Sequence, residues 1–335
     1  MRVLVATDAW HPQVNGVVRT MERVAENLPA LGAEAILLTP VGFRSVPMPT
    51  YPDIRLALAM PGQISRRMAA AAADHVHIVT EGPLGLIARS ICLKHRRPFT
   101  TSYHTRYPEY LSARLPVPEQ LTYAWLRRFH NAAAATLVAT PSLAVDLASK
   151  GFTKLRPWTR GVDTELFNPR RRGDLGLPRP VFLYVGRVAV EKNLRAFLDL
   201  DLPGSKVVVG DGPALGDLRS RYPAARFMGE HFGEDLARIY ASADVFVFPS
   251  RTDTFGIVLL EGLASGLPVA AYPVTGPIDV IGDAGVLSDD LRQAALGALK
   301  IDRAKAREKA LAYSWPACAE LFLKHVSAVH AGTAR

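Results

Sequence analysis

Short apolar runs alternate along the chain with longer stretches whose apolar residues recur at helical spacing. Runs at 3–6, 35–38, 75–79, 99–102 and 136–139 are apolar or β-branched almost throughout, as strands buried on both faces are. Between them, 18–31, 84–95 and 121–135 carry helical patterns. A second series follows at 181–185, 206–209, 225–228, 245–249 and 268–271, again with helices between. Strand–helix alternation predicts parallel sheets with helices on both faces. The joint between the series, Asn168-Pro169-Arg170-Arg171-Arg172-Gly173, is polar and turn-rich. The pattern therefore predicts two doubly wound α/β domains, at 1–168 and 174–314. A closing helical segment, 315–335, is expected to cross back onto the first domain. Ligands of such sheets bind beyond the carboxyl ends of the strands, so the cleft between two facing sheets is the expected site.

Length and composition agree with this division. The 335 residues suit two domains of about 150 each. With 49% hydrophobic and 21% charged residues, disorder is excluded as the dominant state. Two cysteines, Cys92 and Cys318, argue against a disulfide framework or a cysteine zinc site and suit a reducing cytoplasm. The first residues offer only about five apolar positions before Asp8, too few for a secretory signal. No apolar run reaches the length of a membrane-spanning helix. Charge is uneven. Of the net +9, the first 173 residues carry 22 basic and 12 acidic groups, and the rest 18 and 19. All of the basic excess lies in the first half, so the halves are expected to meet different partners.

Three loops of the second half carry candidate chemistry. Gly186-Arg187 closes its first strand, and Glu191-Lys192 follows. Arg187 and Lys192, five apart, either converge on a diphosphate or form a solvated basic loop. Gly210-Asp211-Gly212-Pro213, with Gly216 after it, departs from the dinucleotide spacing G-x-G-x-x-G. It reads either as a strand-to-helix turn with Pro213 in the first helical turn, or as part of a ligand site. The third loop, Arg251-Thr252-Asp253-Thr254-Phe255-Gly256, runs into the apolar helix Ile257-Val258-Leu259-Leu260-Glu261. Amides of Phe255–Val258 at a helix start suit phosphate. Asp253 and Glu261 are placed either to accept from sugar and ribose hydroxyls or to serve as a helix-capping acid and a surface residue.

Asp253-x7-Glu261 resembles the E-x7-E region of retaining glycosyltransferase family 4, with Asp in place of the first Glu. Four further segments match in order: TDAWHPQVNGVVRT at 7–20, Gly161-Val162-Asp163-Thr164-Glu165-Leu166-Phe167, Gly186-Arg187 with Glu191-Lys192, and Gly210-Asp211-Gly212-Pro213. The resemblance implies a GT-B fold, two Rossmann-like domains facing a central cleft with the donor held mainly by the second. It also implies metal-independent transfer with retained anomeric configuration and no cofactor beyond a UDP- or GDP-hexose donor. Arg187 and Lys192 would then neutralise the departing diphosphate. Glu261 would hold the ribose. Asp253, with Thr254, Phe255, Gly256, Ile257 and Val258, would hold sugar and phosphates. Gly186, Gly210, Asp211 and Gly212 would line the donor site, and Gly16, after Asn15, would face donor phosphates or acceptor. His104, after the strand 99–102, matches the family's active-site histidine. No covalent nucleophile is assigned.

The basic half would take the acceptor. Arg66-Arg67, Arg89, Lys94-His95-Arg96-Arg97, Arg106, Arg114 and Arg127-Arg128 are interleaved with Tyr107, Tyr110, Tyr123, Trp125 and Phe129. That mixture suits an anionic membrane surface, and no nucleic-acid module is present. Resemblance to bacterial mannosyltransferase and diacylglycerol glycosyltransferase members implies a cytoplasmic enzyme on the inner face of the cell membrane. It would move a hexose from a nucleotide sugar to a lipid such as diacylglycerol. A GDP-mannose-dependent or polysaccharide glycosyltransferase with another acceptor is the alternative, followed by a GT-B epimerase.

Overall fold

The computed structural model describes residues 1–13, 15–48, 51–112 and 115–333. Arg114, one of the expected docking arginines, lies outside them. The chain divides into two compact units, Met1–Arg160 with Trp315–Arg335, and Gly161–Ser314.

The first unit contains β1 (Arg2–Ala6), β2 (Glu34–Leu38), β3 (Ser45–Met48), β4 (Tyr51–Ala57), β5 (His75–Ile78), β6 (Phe99–Tyr103), β7 (Ala135–Val138) and β8 (Leu155–Pro157). Six of these form a parallel sheet in the order β2-β1-β5-β6-β7-β8. β5, β6 and β7 are buried at every position, the reason they read as runs that are mostly apolar or β-branched, with His75, His77 and Ser102 as the polar exceptions. The antiparallel hairpin β3–β4 has no counterpart in the expected elements. Its proline-broken sequence around Pro47, Pro49 and Pro52 hides any two-residue period. The helix Gly16–Asn27 begins where Asn15 Oδ1 accepts from the amides of Val17 and Val18, and it buries Val18, Met21 and Val24. The helix Trp315–Thr333 packs on it.

The second unit repeats the plan with β9 (Val181–Val185), β10 (Ser205–Val209), β11 (Arg226–Gly229), β12 (Val245–Phe248), β13 (Val269–Ala271) and β14 (Gly285–Leu287). Their order is β11-β10-β9-β12-β13-β14, parallel throughout. The helix Ile257–Ala264 buries Leu259, Leu260 and Leu263. It approaches β12 closely because Gly262 faces the Phe246 ring, where a Cβ would lie 3.3 Å from Cγ.

Two local expectations change. Residues 161–168, expected in the first domain, belong to the second unit. The Arg307 guanidinium holds them there, donating to Phe167 O and Ala264 O at 2.7 Å and to Thr164 O at 2.9 Å. Pro213 is not in a first helical turn, since the helix begins at Leu215 after Ala214 as N-cap.

Candidate active site

In the second unit the strand order reverses between β9 and β12, so the loops leaving these neighbouring strands run side by side at a topological switch point. Hydrogen bonds join them. Lys192 Nζ donates to Asp253 Oδ1 at 2.6 Å, Asn193 Nδ2 to Pro249 O at 3.1 Å, and Thr252 Oγ1 to Glu191 O at 3.4 Å. Residues 61 positions apart thus form one half-buried ion pair. Asp253 Oδ2 is buried and takes no hydrogen bond from the described residues.

The neighbouring glycines have a backbone reason. Val188 N donates to Asp211 O at 2.8 Å, and Gly186 N to Val209 O at 3.0 Å. The loop after β10 therefore lies against the loop after β9. A Cβ on Gly210 would lie 2.0 Å from Gly186 O, and one on Gly212 2.5 Å from Val188 O. Both glycines also have φ in the range that disfavours side chains, +132° and +153°. The close approach of the two loops requires glycine at both positions. Asp211 Oδ1 accepts from Gly212 N at 2.6 Å.

After β12, Gly256 takes the left-handed conformation as N-cap, and the helix starts at Ile257. Leu259 N makes the first helical bond, to Gly256 O at 2.9 Å. The amides of Ile257 and Val258 precede it, the arrangement that suits an anion. Phe255 is buried, its ring 6.2 Å from that of Tyr313. Glu261 is not a surface residue. It is 2% exposed, and its Oε2 accepts from Tyr240 Oη at 3.1 Å. No spacing rule links Tyr240 to Glu261, and Tyr240 was missed in the sequence.

In the first unit His104 follows β6. Arg160 Nη2 lies 3.3 Å from its Nδ1, and the Trp158 ring packs edge-on to it at 5.8 Å. Burial, with Arg160, His77 and His130 nearby, holds the imidazole well below its usual range, so it is neutral at physiological pH. Arg160 is 3% exposed, and burial lowers it to about 10, still a cation at neutral pH. Neither Arg160 nor Trp158 was singled out from the sequence, where Arg160 is one more basic residue before Gly161. The loop after β1 holds two helix starts. Asp8 accepts from the amides of Leu84 and Gly85 and from Thr80 Oγ1, and so caps the helix Pro83–Lys94. Asn15 is likewise a cap, with Gly16 the first residue of its helix.

The expected docking face is thinner than the sequence suggested. Arg106 is buried between Glu109 and Asp146, and Tyr123 and Phe129 belong to the core. Arg89 spends its guanidinium on the carbonyls of Arg128 and Phe129. Leu58, Met60, Leu121 and Trp125 are exposed. Among the described residues, no three His, Cys, Asp or Glu side chains are grouped as a metal site would need, and no helix is long and apolar enough to cross a membrane.

Comparison with known proteins supplies the lineage. A model described as Glycosyltransferase Family 4 matches residues 14–166, and one described as Glycosyl transferases group 1 matches 179–301. The chain is 36% identical to a sulfoquinovosyl transferase of Arabidopsis thaliana, over 79% of this chain and 54% of that protein. It thus spans about half the length of that relative. It is 31% identical to a GDP-mannose-dependent alpha-mannosyltransferase of Mycobacterium tuberculosis, over 98% of this chain and 97% of that one. An alpha-monoglucosyldiacylglycerol synthase of Streptococcus pneumoniae is 26% identical over 81% and 71%. Among solved structures, sucrose-phosphate synthase from Thermosynechococcus elongatus superposes with a TM-score of 0.77 at 21% identity, covering 99% of each chain. Anabaena HepE in complex with UDP and glucose gives 0.72 at 14% identity, covering 98% of this chain and 100% of that one. Two parallel-sheet α/β units, these structural likenesses and a 31% identical relative matched along its whole length make this chain a GT-B glycosyltransferase of family 4.

Proposed function

We propose that this protein is a retaining, metal-independent hexosyltransferase that moves a hexose from a nucleotide sugar to a membrane lipid such as diacylglycerol. The observation that carries the reading is the Lys192–Asp253 pair at the switch point of the second unit. It puts a cation suited to a diphosphate beside a carboxylate suited to a sugar. In this reading Arg187 and Lys192 stabilise the charge that develops on the departing diphosphate, with the amides of Ile257 and Val258. Asp253 Oδ2 accepts from a sugar hydroxyl. Glu261, held by Tyr240, accepts from the ribose. His104 donates to a sugar oxygen. The acceptor hydroxyl attacks the anomeric carbon on the face the diphosphate leaves, and its proton passes to the departing phosphate oxygen. One C–O bond breaks and one forms on the same face, so configuration is retained without a covalent enzyme intermediate.

The lipid acceptor is supported by the relative named for diacylglycerol and by exposed Leu58, Met60, Leu121 and Trp125 on a unit with net charge +10. The enzyme then works from the inner face of the cell membrane. A second reading has its own support. The relatives matched over nearly all of both chains at 31% identity are GDP-mannose-dependent, which favours GDP-mannose as donor and leaves room for another acceptor. One screen tests both. UDP- and GDP-hexoses are offered with a lipid extract, with purified diacylglycerol and with soluble glycans, and products are read by mass spectrometry and anomeric NMR. A glycolipid with the donor's anomeric configuration is expected. An inverted product, or products only on soluble glycans, would overturn the mechanism or the acceptor respectively.

A further inference from the structure

We infer that Arg160 is a positioning residue that holds His104 as a neutral Nε2–H donor aimed at a sugar oxygen. The inference rests on the placing of His104 at the reaction site proposed above.

A guanidinium carries only N–H donors and no acceptor. Its Nη2 lies 3.3 Å from His104 Nδ1, so Nδ1 must be the accepting nitrogen. A neutral imidazole has one donor and one acceptor, and its proton is therefore on Nε2. Protonating Nδ1 would aim one N–H at another beside a fixed positive charge. His77 on β5 and His130 on the helix Glu119–His130 are near enough that positive charge on either would also oppose its charging. His104 is thus a fixed hydrogen-bond donor rather than a proton carrier.

Arg160 is built to stay in place. Its Nη1 donates to Trp158 O at 2.7 Å and to Thr159 O at 3.0 Å. Its guanidinium stacks 4.3 Å from the centre of the Trp158 ring. Trp158 is 0% exposed and is tied to the C-terminal helix, with Nε1 donating to Cys318 O at 3.1 Å and Phe322 against its ring at 5.3 Å. Cys318 Sγ donates to Thr159 O at 3.2 Å. The segment 158–160 and the C-terminal helix together clamp the histidine from behind. A ring carrying the donor hydrogen on the wrong nitrogen would offer a sugar oxygen a lone pair instead, the kind of tautomer error that costs triad hydrolases most of their rate.

The test joins a spectroscopic and a kinetic readout. In full-length protein labelled with 15N-histidine, long-range 1H–15N spectra, assigned with His104→Ala, should show a pyridine-type Nδ1 and a pyrrole-type Nε2 throughout neutral pH. A pyrrole-type Nδ1, or an imidazolium at pH 7, would overturn the inference whatever the Arg160 variants do. Arg160→Met should lower kcat by on the order of 100-fold with donor KM changed much less. It should also move any acidic limb of the pH–rate profile upwards, since burial remains the main force against protonating the ring but the neighbouring positive charge is gone. Arg160→Lys, still a pure donor, should keep the Nε2–H tautomer and recover part of kcat. Arg160→Met with full kcat and an unmoved profile, beside an inactive His104→Ala, would overturn the positioning role alone. His104→Ala with undiminished turnover would remove His104 from the site and this inference with it.

Discussion

At the residue scale, the candidate polar side chains are already engaged in pairs within each unit: Lys192 with Asp253 and Tyr240 with Glu261 in the second, Arg160 with His104 in the first. The first pair has a consequence for binding. Diphosphate competes with Asp253 for the Lys192 ammonium. A half-buried pair of this kind is worth about 1 kcal/mol, close to a fivefold change in affinity. Asp253→Asn should therefore bind the free nucleoside diphosphate about fivefold more tightly while turnover falls more than about tenfold, the sugar having lost its acceptor. Isothermal titration and steady-state rates separate the two effects. Lys192→Ala should lose both binding and turnover, and a Lys192→Ala enzyme as active as the parent would end the phosphate assignment. Residue types at these positions were legible in the sequence, but the pairings were not. Nothing at 192 signals a partner at 253, nor at 160 one at 104.

At the element scale, the loops after β9 and β10 share one backbone interface that admits no side chain. Gly210→Ala would press a Cβ to 2.0 Å from Gly186 O at a φ of +132°. It should destabilise the protein by about 3 kcal/mol or more, read as a drop in the denaturation midpoint together with lost donor binding. Gly216→Ala, where a Cβ meets nothing within 4 Å, is the control and should leave both unchanged. β5 and β6 carry a second device. On one face of the sheet His75 Nε2 and His77 Nδ1 both meet Thr100 Oγ1, and His77 Nε2 meets Ser102 Oγ. Burial holds His75 down to about 4 and His77 in the same direction. Both are neutral when folded, whereas the unfolded chain takes up protons below pH 6.5. Their stabilising contribution is complete above pH 6.5 and is lost as pH falls towards 4, about 3 kcal/mol for His75. Urea titrations at pH 7 and 4.5 should show this loss, and His75→Gln should reduce it. An identical slope in the variant would assign the acid sensitivity elsewhere. The β-rich runs were legible because a strand buried on both faces is mostly apolar or β-branched. The β3–β4 hairpin was not, because prolines break its period.

At the scale of the whole molecule, the charge asymmetry survives the correct division of the chain. Counted by compact units, the first carries 21 basic and 11 acidic residues, the second 19 and 20. Arg187 and Lys192, the cations proposed to meet the diphosphate, are therefore not part of a general excess. The larger excess is available for a surface, and part of it already braces the fold, as Arg89 and Arg106 do. Vesicles with anionic lipid should float this protein and neutral vesicles should not. Raising salt from 0.05 to 0.5 M, from a Debye length of roughly 14 Å to roughly 4 Å, should release it. Equal flotation with both vesicles, or binding indifferent to salt, would remove the electrostatic contribution and leave Leu58, Met60, Leu121 and Trp125 as the docking groups.

The sequence by itself determined the two-fold strand–helix alternation, the glycine positions where backbone must turn, and the ordered motifs of a family. These are local properties, set by periodicity and by which residues tolerate a given φ. Only the tertiary structure decided which polar groups meet. It gave Asp8 to the cap of a distant helix, Arg106 to Asp146, Tyr240 to Glu261 and Arg160 to His104. Those pairings depend on strand order and on a C-terminal helix that packs beside the first one. A hydrogen bond between residues twenty or more positions apart leaves no mark in the spacing of either.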